Sequence, residues 1–258
     1  MSLEICIDSV ESAYEVLIGG ANRIEICSEL SVGGLTPTKG HFLSIFTVIR
    51  GWHHVEQRVM IRPRSGDFAY SEKEIDAMCD DIRTLLTVGA RGFVFGVLNK
   101  NYTLNERACK RLISAAAGAP CTLHRCFDWT VDWKAAMDTA VELGFDTILT
   151  SGQKPTVGEA IDTLKEMSTY ANTRTIVKST GRPITIMAGS GLNESSLNQL
   201  LTDTDISWFH GSASTAIAQA MHGPPPFPMG PHDSELRRSA DRNVVRLLRE
   251  TITAARNV

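Results

Sequence analysis

Leu3-Glu4-Ile5-Cys6-Ile7-Asp8 and Arg23-Ile24-Glu25-Ile26-Cys27-Ser28 are one short phrase written twice near the start of the chain. Each copy alternates polar and apolar residues, the period-2 pattern of a β-strand. Between them Ser9 is placed to cap a helix with Ala13, Val16 and Leu17 on its apolar face, and Gly19-Gly20 to end it. Strand, helix and strand with so little linker make a βαβ unit, whose strands lie parallel and adjacent. The polarity of the strands then decides the fold. Leu3, Ile5 and Ile7 point one way, and Glu4, Cys6 and Asp8 the other. In a closed (β/α)₈ barrel the outer face lies under helices and must be apolar, while the inner face can hold polar groups near a site. Glu4, Cys6, Glu25 and Cys27 are therefore expected inside. Two buried carboxylates cost several kcal/mol each unless paired, roughly speaking. Arg23 is a partner at hand, so a purely structural ion network at the barrel base is the competing reading.

The rest of the chain repeats the alternation. Further strands are expected at 58–62, 92–96, 121–125, 146–150, 184–187 and 207–210, with helical stripes between them. The clearest stripe is Ile75, Met78, Ile82 and Leu85, opened by a Ser71/Glu74 capping box. Thr103 with Glu106 reads as another capping box, and Thr156 with Glu159 as the start of a helix reaching about Asn172. Eight strands alternating with helices predict a single α/β (β/α)₈ TIM barrel over 1–222 rather than an open doubly wound sheet. A proline-rich connector at 223–231 and an additional C-terminal helix bearing Val244, Leu247, Leu248 and Ile252 complete the chain, this last part (223–258) packed on the barrel.

Composition narrows the function. The 258 residues are 43% hydrophobic with a net charge of −3, which suits a soluble protein and shows no basic stripe for nucleic acid. No apolar run reaches about 18 residues, and the N-terminus opens directly into a strand, so neither a membrane span nor a signal peptide is expected. A cytoplasmic location follows as an expectation. There, six cysteines are free thiols or metal ligands rather than a disulfide frame. His53-His54 reads as a solvated loop.

Nearly every polar cluster falls just after a strand, and a barrel gathers those positions at one mouth. Asp8, Cys27, Arg62, Arg64, Asp67, His124, Arg125, Asp128, Ser151, Gly189 and His210 share it. Two chemistries compete there. Gly189, Gly191, Gly211 and Ser212 after the last two strands, with Arg125, suggest an anion cradle. In that case Glu25 or His124 is the acid/base and Arg62 helps hold a small substrate, phosphorylated or otherwise anionic. Cys6 and Cys27, by contrast, occupy matching places on adjacent strands, roughly 5 Å apart across a ladder. Two soft thiolates at such a spacing suit Cu(I) better than Zn(II). On spacing alone, two buried inert cysteines account for the pair better. Strands of a barrel contribute to alternating layers, so matching positions can also be staggered in height.

Several motifs together resemble one family. They are Glu4-x-Cys6-x-Asp8-Ser9-x-Glu11-Ser12-Ala13, Gly19-Gly20-Ala21-x-Arg23-Ile24-Glu25-x-Cys27 and Gly33-Gly34-x-Thr36-Pro37. Met60-Ile61-Arg62-Pro63-Arg64-x-Gly66-Asp67-Phe68-x-Tyr70-Ser71, His124-Arg125-x-Phe127-Asp128 and Leu149-Thr150-Ser151-Gly152 extend the set. In order and spacing, over about 1–215, they resemble the CutC copper homeostasis family. Cys126 and Ser190 depart from its usual residues. The resemblance implies a TIM barrel, a cytoplasmic protein and a role in copper tolerance, with Cu(I) as the ion and Cys6 and Cys27 as its proposed ligands. A homo-oligomer is the expected assembly. The enzyme reading stays open beside the copper one, as does a scaffold with a vestigial mouth.

Overall fold

The computed structural model describes residues 1–174, 183–217, 227 and 237–255. Its eight parallel strands close into a barrel in sequence order. They are β1 (Ser2–Ile7), β2 (Arg23–Ile26), β3 (Glu56–Met60), β4 (Phe93–Phe95), β5 (Cys121–Leu123), β6 (Thr147–Thr150), β7 (Thr185–Gly189) and β8 (Trp208–Gly211). The helices that cover them begin with α1 (Val10–Gly19), α2 (Lys39–Ile49), α3 (Glu72–Thr87) and α4 (Glu106–Ala115). The ring continues with α5 (Trp133–Leu143), α6 (Ile161–Asn172), α7 (Glu194–Asp203) and α8 (Arg242–Ala255). The expected C-terminal helix is α8, and it lies against α7, α1 and β1, where the ring closes. None of the described helices is long and apolar enough to cross a membrane.

The inward–outward polarity follows the reading of β1. Leu3, Ile5 and Ile7 are buried in the core that also holds Ala13, Val16 and Leu17 of α1. Ser9 accepts from the Ser12 backbone N–H, and Gly20 ends α1 in the left-handed region. The Ser71/Glu74 capping box is present at the start of α3.

Local chemistry corrected several details. Asn105, not Thr103, caps α4: its side chain accepts from the Ala108 N–H, while Thr103 bonds to Asn99 and Asn101. The fifth strand stops at Leu123, because His124 turns to accept from the Cys126 N–H and 125–129 winds into a 3₁₀ turn. On α8 the buried face is Val245, Leu248 and Ile252, with Leu247 exposed. The connector at 223–231 lies outside the described residues, apart from exposed Phe227. One element was not anticipated. A two-stranded antiparallel ribbon, β9 (Ser214–Ala216) and β10 (Arg238–Ala240), follows β8 at the barrel mouth. It is tied to α1 through Ser12, whose hydroxyl accepts from the Ala240 N–H at 3.2 Å and meets Ser239 Oγ at 3.0 Å.

Candidate metal centre in the barrel mouth

Strand register sets the height of every inward side chain. Glu4 pairs with Arg23 and Cys6 with Glu25 across β1 and β2, while Glu4 also pairs with His210 across the closing seam of β1 and β8. Cys6 and Cys27 are therefore not opposite one another. Cys27 stands one inward position higher, and continuing the β2–β3 register puts Met60 level with it. The thiols still meet at one sulfur-rich patch, in which Cys27, Met60 and Val94 are buried with Cys6 and Leu30 against them. Gly34 covers it. A Cβ there would stand 3.2 Å from Cys27 Sγ and 3.5 Å from Met60 Cε, and its positive φ of 85° favours glycine independently. Arg62 clamps that cover by donating to the Val32, Gly34 and Gly66 carbonyls at 2.9, 3.3 and 3.0 Å.

Beside the sulfur patch lies a titratable cluster. Arg23 is ion-paired with Glu4 beneath it and stacks on Trp208, 3.9 Å from the ring centre. Glu4 Oε1 is 2.7 Å from His210 Nδ1, and His210 Nε2 is 3.7 Å from Glu25 Oε2. The Cys6 thiol donates to the Gly211 carbonyl at 3.6 Å. Ligand atoms of Cys6, Glu25 and His210 all lie within 4.8 Å of one another, the one such trio of His, Cys, Asp or Glu among the described residues.

Burial and charge pull these groups apart in acidity. Burial alone would raise Glu4, but Arg23 and then His210 outweigh it and hold the carboxyl down at about 2. Glu25 is pushed up to about 7 by burial, which His210, the Cys27 thiol and the more distant Arg23 offset only in part and the Glu4 carboxylate reinforces. Burial opposes a charged His210, yet Cys6, Glu4 and Glu25 together raise it well above the ordinary histidine value. Burial raises both thiols, Cys27 well above the usual range with the Glu25 carboxylate adding to it. A cation entering here would replace protons at the thiols, at Glu25 and at His210.

The chain matches the CutC family over residues 1–215. The copper homeostasis protein cutC homolog of Caenorhabditis elegans is 37% identical over 252 residues, covering 98% of this chain and 95% of that one. The Homo sapiens homolog is 39% identical over 219 residues, 85% of this chain and 76% of that one. This chain belongs to the CutC family. The crystal structure of CutC from Streptococcus agalactiae superposes with a TM-score of 0.73 at 29% identity, covering 82% of this chain and 99% of that one. Membership in a copper homeostasis family thus joins a TIM barrel whose mouth presents thiols, a carboxylate and an imidazole.

Other residues singled out in the sequence fall on the same cavity. It measures about 810 Å³ and is lined by Cys6, Glu25, Arg62, His124, Arg125 and Ser212 among others. His124 is buried beside Arg62 and pushed down to about 3, and its Nδ1 accepts from the Cys126 N–H at 3.2 Å. It is held neutral, which leaves it poorly suited to carry protons near pH 7. Arg125 donates to Asp128 at 2.8 Å and Ser151 at 2.7 Å, so its guanidinium is partly committed to the wall. Gly189 has a packing reason of its own: a Cβ would stand 2.6 Å from Leu149 Cδ1 and 3.0 Å from His210 Cβ. Gly191 sits against Thr156, and Gly211 gives its carbonyl to Cys6. His210 is the residue whose role sequence reasoning missed. Its signal was an inward position on β8, legible only once that strand closes onto β1.

Proposed function

We propose that this CutC-family chain binds Cu(I) at the barrel mouth through Cys6 and Cys27, as a copper-handling protein of the cytoplasm. The observation that carries the proposal is the sulfur patch itself. Cys6 lines the open cavity and packs against buried Cys27 and Met60, so soft donors gather where an ion can enter. Thiolate and thioether sulfur favour Cu(I) over harder ions. Six free cysteines agree with a reducing compartment. The relatives in Caenorhabditis elegans and Homo sapiens are named for copper homeostasis, which supports copper as the cargo. The test is an anaerobic competition titration against a Cu(I) chelator. Cys6→Ser and Cys27→Ser are expected to lose most of the affinity, while Cys79→Ser and Cys109→Ser, on α3 and α4, keep it. Folded Cys6 and Cys27 variants that compete as well as the unmodified chain would overturn the thiol-pair reading.

The size of the cavity favours a second reading, in which a small anionic substrate occupies the mouth beside Arg125 and Ser212. Phosphate or sulfate soaked into crystals is then expected between Gly189–Gly191 and Gly211–Ser212. Density only at the opposite end of the barrel would count against it. Homo-oligomer formation belongs to the proposal as well and is measurable by light scattering.

A further inference from the structure

We infer a second, mixed-ligand metal site made of Cys6 Sγ, the Glu25 carboxylate and His210 Nε2, suited to a borderline divalent cation such as zinc. It shares Cys6 with the copper-binding thiols but uses neither Cys27 nor Met60. Four observations support it. The three ligand atoms lie within 4.8 Å of one another, and the carboxylate–imidazole pair is already at 3.7 Å. Bonds of about 2.0–2.3 Å in a tetrahedral zinc site put ligand atoms roughly 3.5 Å apart, so closure needs only side-chain rotation. Next, Glu4 takes the Nδ1 side of His210 at 2.7 Å, which points Nε2 at the cluster. A carboxylate holding the far nitrogen of a ligating histidine is the usual outer-shell support of such sites.

The third observation is an unsatisfied carboxylate. Glu25 is 2% exposed, its Oε1 has no hydrogen-bond partner, its Oε2 stands too far from His210 for a good hydrogen bond, and its one remaining neighbour is the weak thiol donor of Cys27. An ion network serving stability alone leaves no buried carboxylate oxygen orphaned, since the cost falls on the fold. The fourth is charge and access. Glu4 and Arg23 cancel beneath the site, so a Cys6 thiolate, a Glu25 carboxylate and a neutral His210 together carry the charge that a divalent ion neutralises. All three residues line the cavity, which supplies an entry path and room for water as a fourth ligand. One sulfur, one nitrogen and one oxygen make a borderline set, unlike the all-sulfur patch beside it. Because Cys6 belongs to both, Cu(I) and the divalent ion exclude each other.

The experiment titrates the reduced full chain with Zn²⁺ against a chromophoric zinc chelator, and with Co²⁺ as a spectroscopic probe. One equivalent is expected to bind, with a thiolate-to-cobalt charge-transfer band. Cys6→Ser, Glu25→Gln and His210→Gln are each expected to weaken zinc by at least about tenfold, and Cys6→Ser to abolish the band. Cys27→Ser keeps the zinc affinity while losing Cu(I), and Glu25→Gln does the converse. Glu25→Gln removes a carboxylate that holds no strong partner, so it is the variant most certain to fold, with circular dichroism as the check. Unchanged zinc affinity in the folded Glu25→Gln protein, a cobalt complex without the thiolate band, or loss of zinc on Cys27→Ser would each overturn the mixed site. Retention of Cu(I) by Cys27→Ser would instead defeat the thiol-pair reading and leave the zinc result to be judged alone.

Discussion

The base and the mouth of this barrel use the same inward-facing positions and treat charge in opposite ways. At the base, Glu4 is paired with Arg23, and Arg58 donates to both oxygens of Asp146 at 3.0 and 2.8 Å. One inward step higher, Glu25 keeps an orphan oxygen and the Cys6 thiol has only the Gly211 carbonyl and His210 beside it. Closed ion pairs hold the interior of a fold together, whereas unfinished ones leave coordination to be completed by something else. The difference matches the division of a TIM barrel into a stabilising N-terminal face and a functional C-terminal face.

Breaking the base should have the largest effect. Glu4→Ala takes the close partner from both the buried Arg23 guanidinium, which keeps Glu56 at 3.7 Å as its only carboxylate, and His210, and unfolding in urea is expected to show a loss of about 3–5 kcal/mol. A loss below about 1 kcal/mol would mean that the pair is not what holds the base. The mouth should answer with the opposite sign. Glu25 has its pKa raised by burial, so its ionised form is disfavoured in the fold, and stability is lost as pH climbs from the ordinary carboxylate value of 4.5 through about 7. Glu25→Gln is therefore expected to stabilise the protein at pH 8 by on the order of 1–2 kcal/mol and to have little effect at pH 4. Destabilisation at pH 8 would show that the carboxylate serves the fold after all. The smallest effect belongs to Cys6→Ser. Its half-buried thiol has only weak partners, the Gly211 carbonyl and His210, so stability should change by less than about 1 kcal/mol even as metal binding is lost. A larger drop in melting temperature would make Cys6 a packing residue.

The repeated phrase at 3–8 and 23–28 carried much of the fold by itself. Periodicity is local, and the side of a strand that must meet helices is recognisable from which residues are apolar. Caps such as Ser9 and the Ser71/Glu74 box were legible for the same reason, since each joins residues within one turn. The same locality misled at Thr103, where Asn105 was two residues nearer the helix.

Height along the barrel axis was not legible. A sequence gives the face of a side chain, but strand register is set by hydrogen bonds to distant neighbours and by the stagger that closure imposes. Matching places in the repeat suggested that Cys6 lies opposite Cys27, yet the ladder puts Cys6 opposite Glu25. Closure of β8 onto β1 then brings His210 to Glu4 across 206 residues of chain. The amino-acid sequence by itself determined which residues turn inward, because that depends on neighbours one and two positions away. Only the tertiary structure decided which of them meet, because barrel closure fixes contacts between strands that no local pattern encodes.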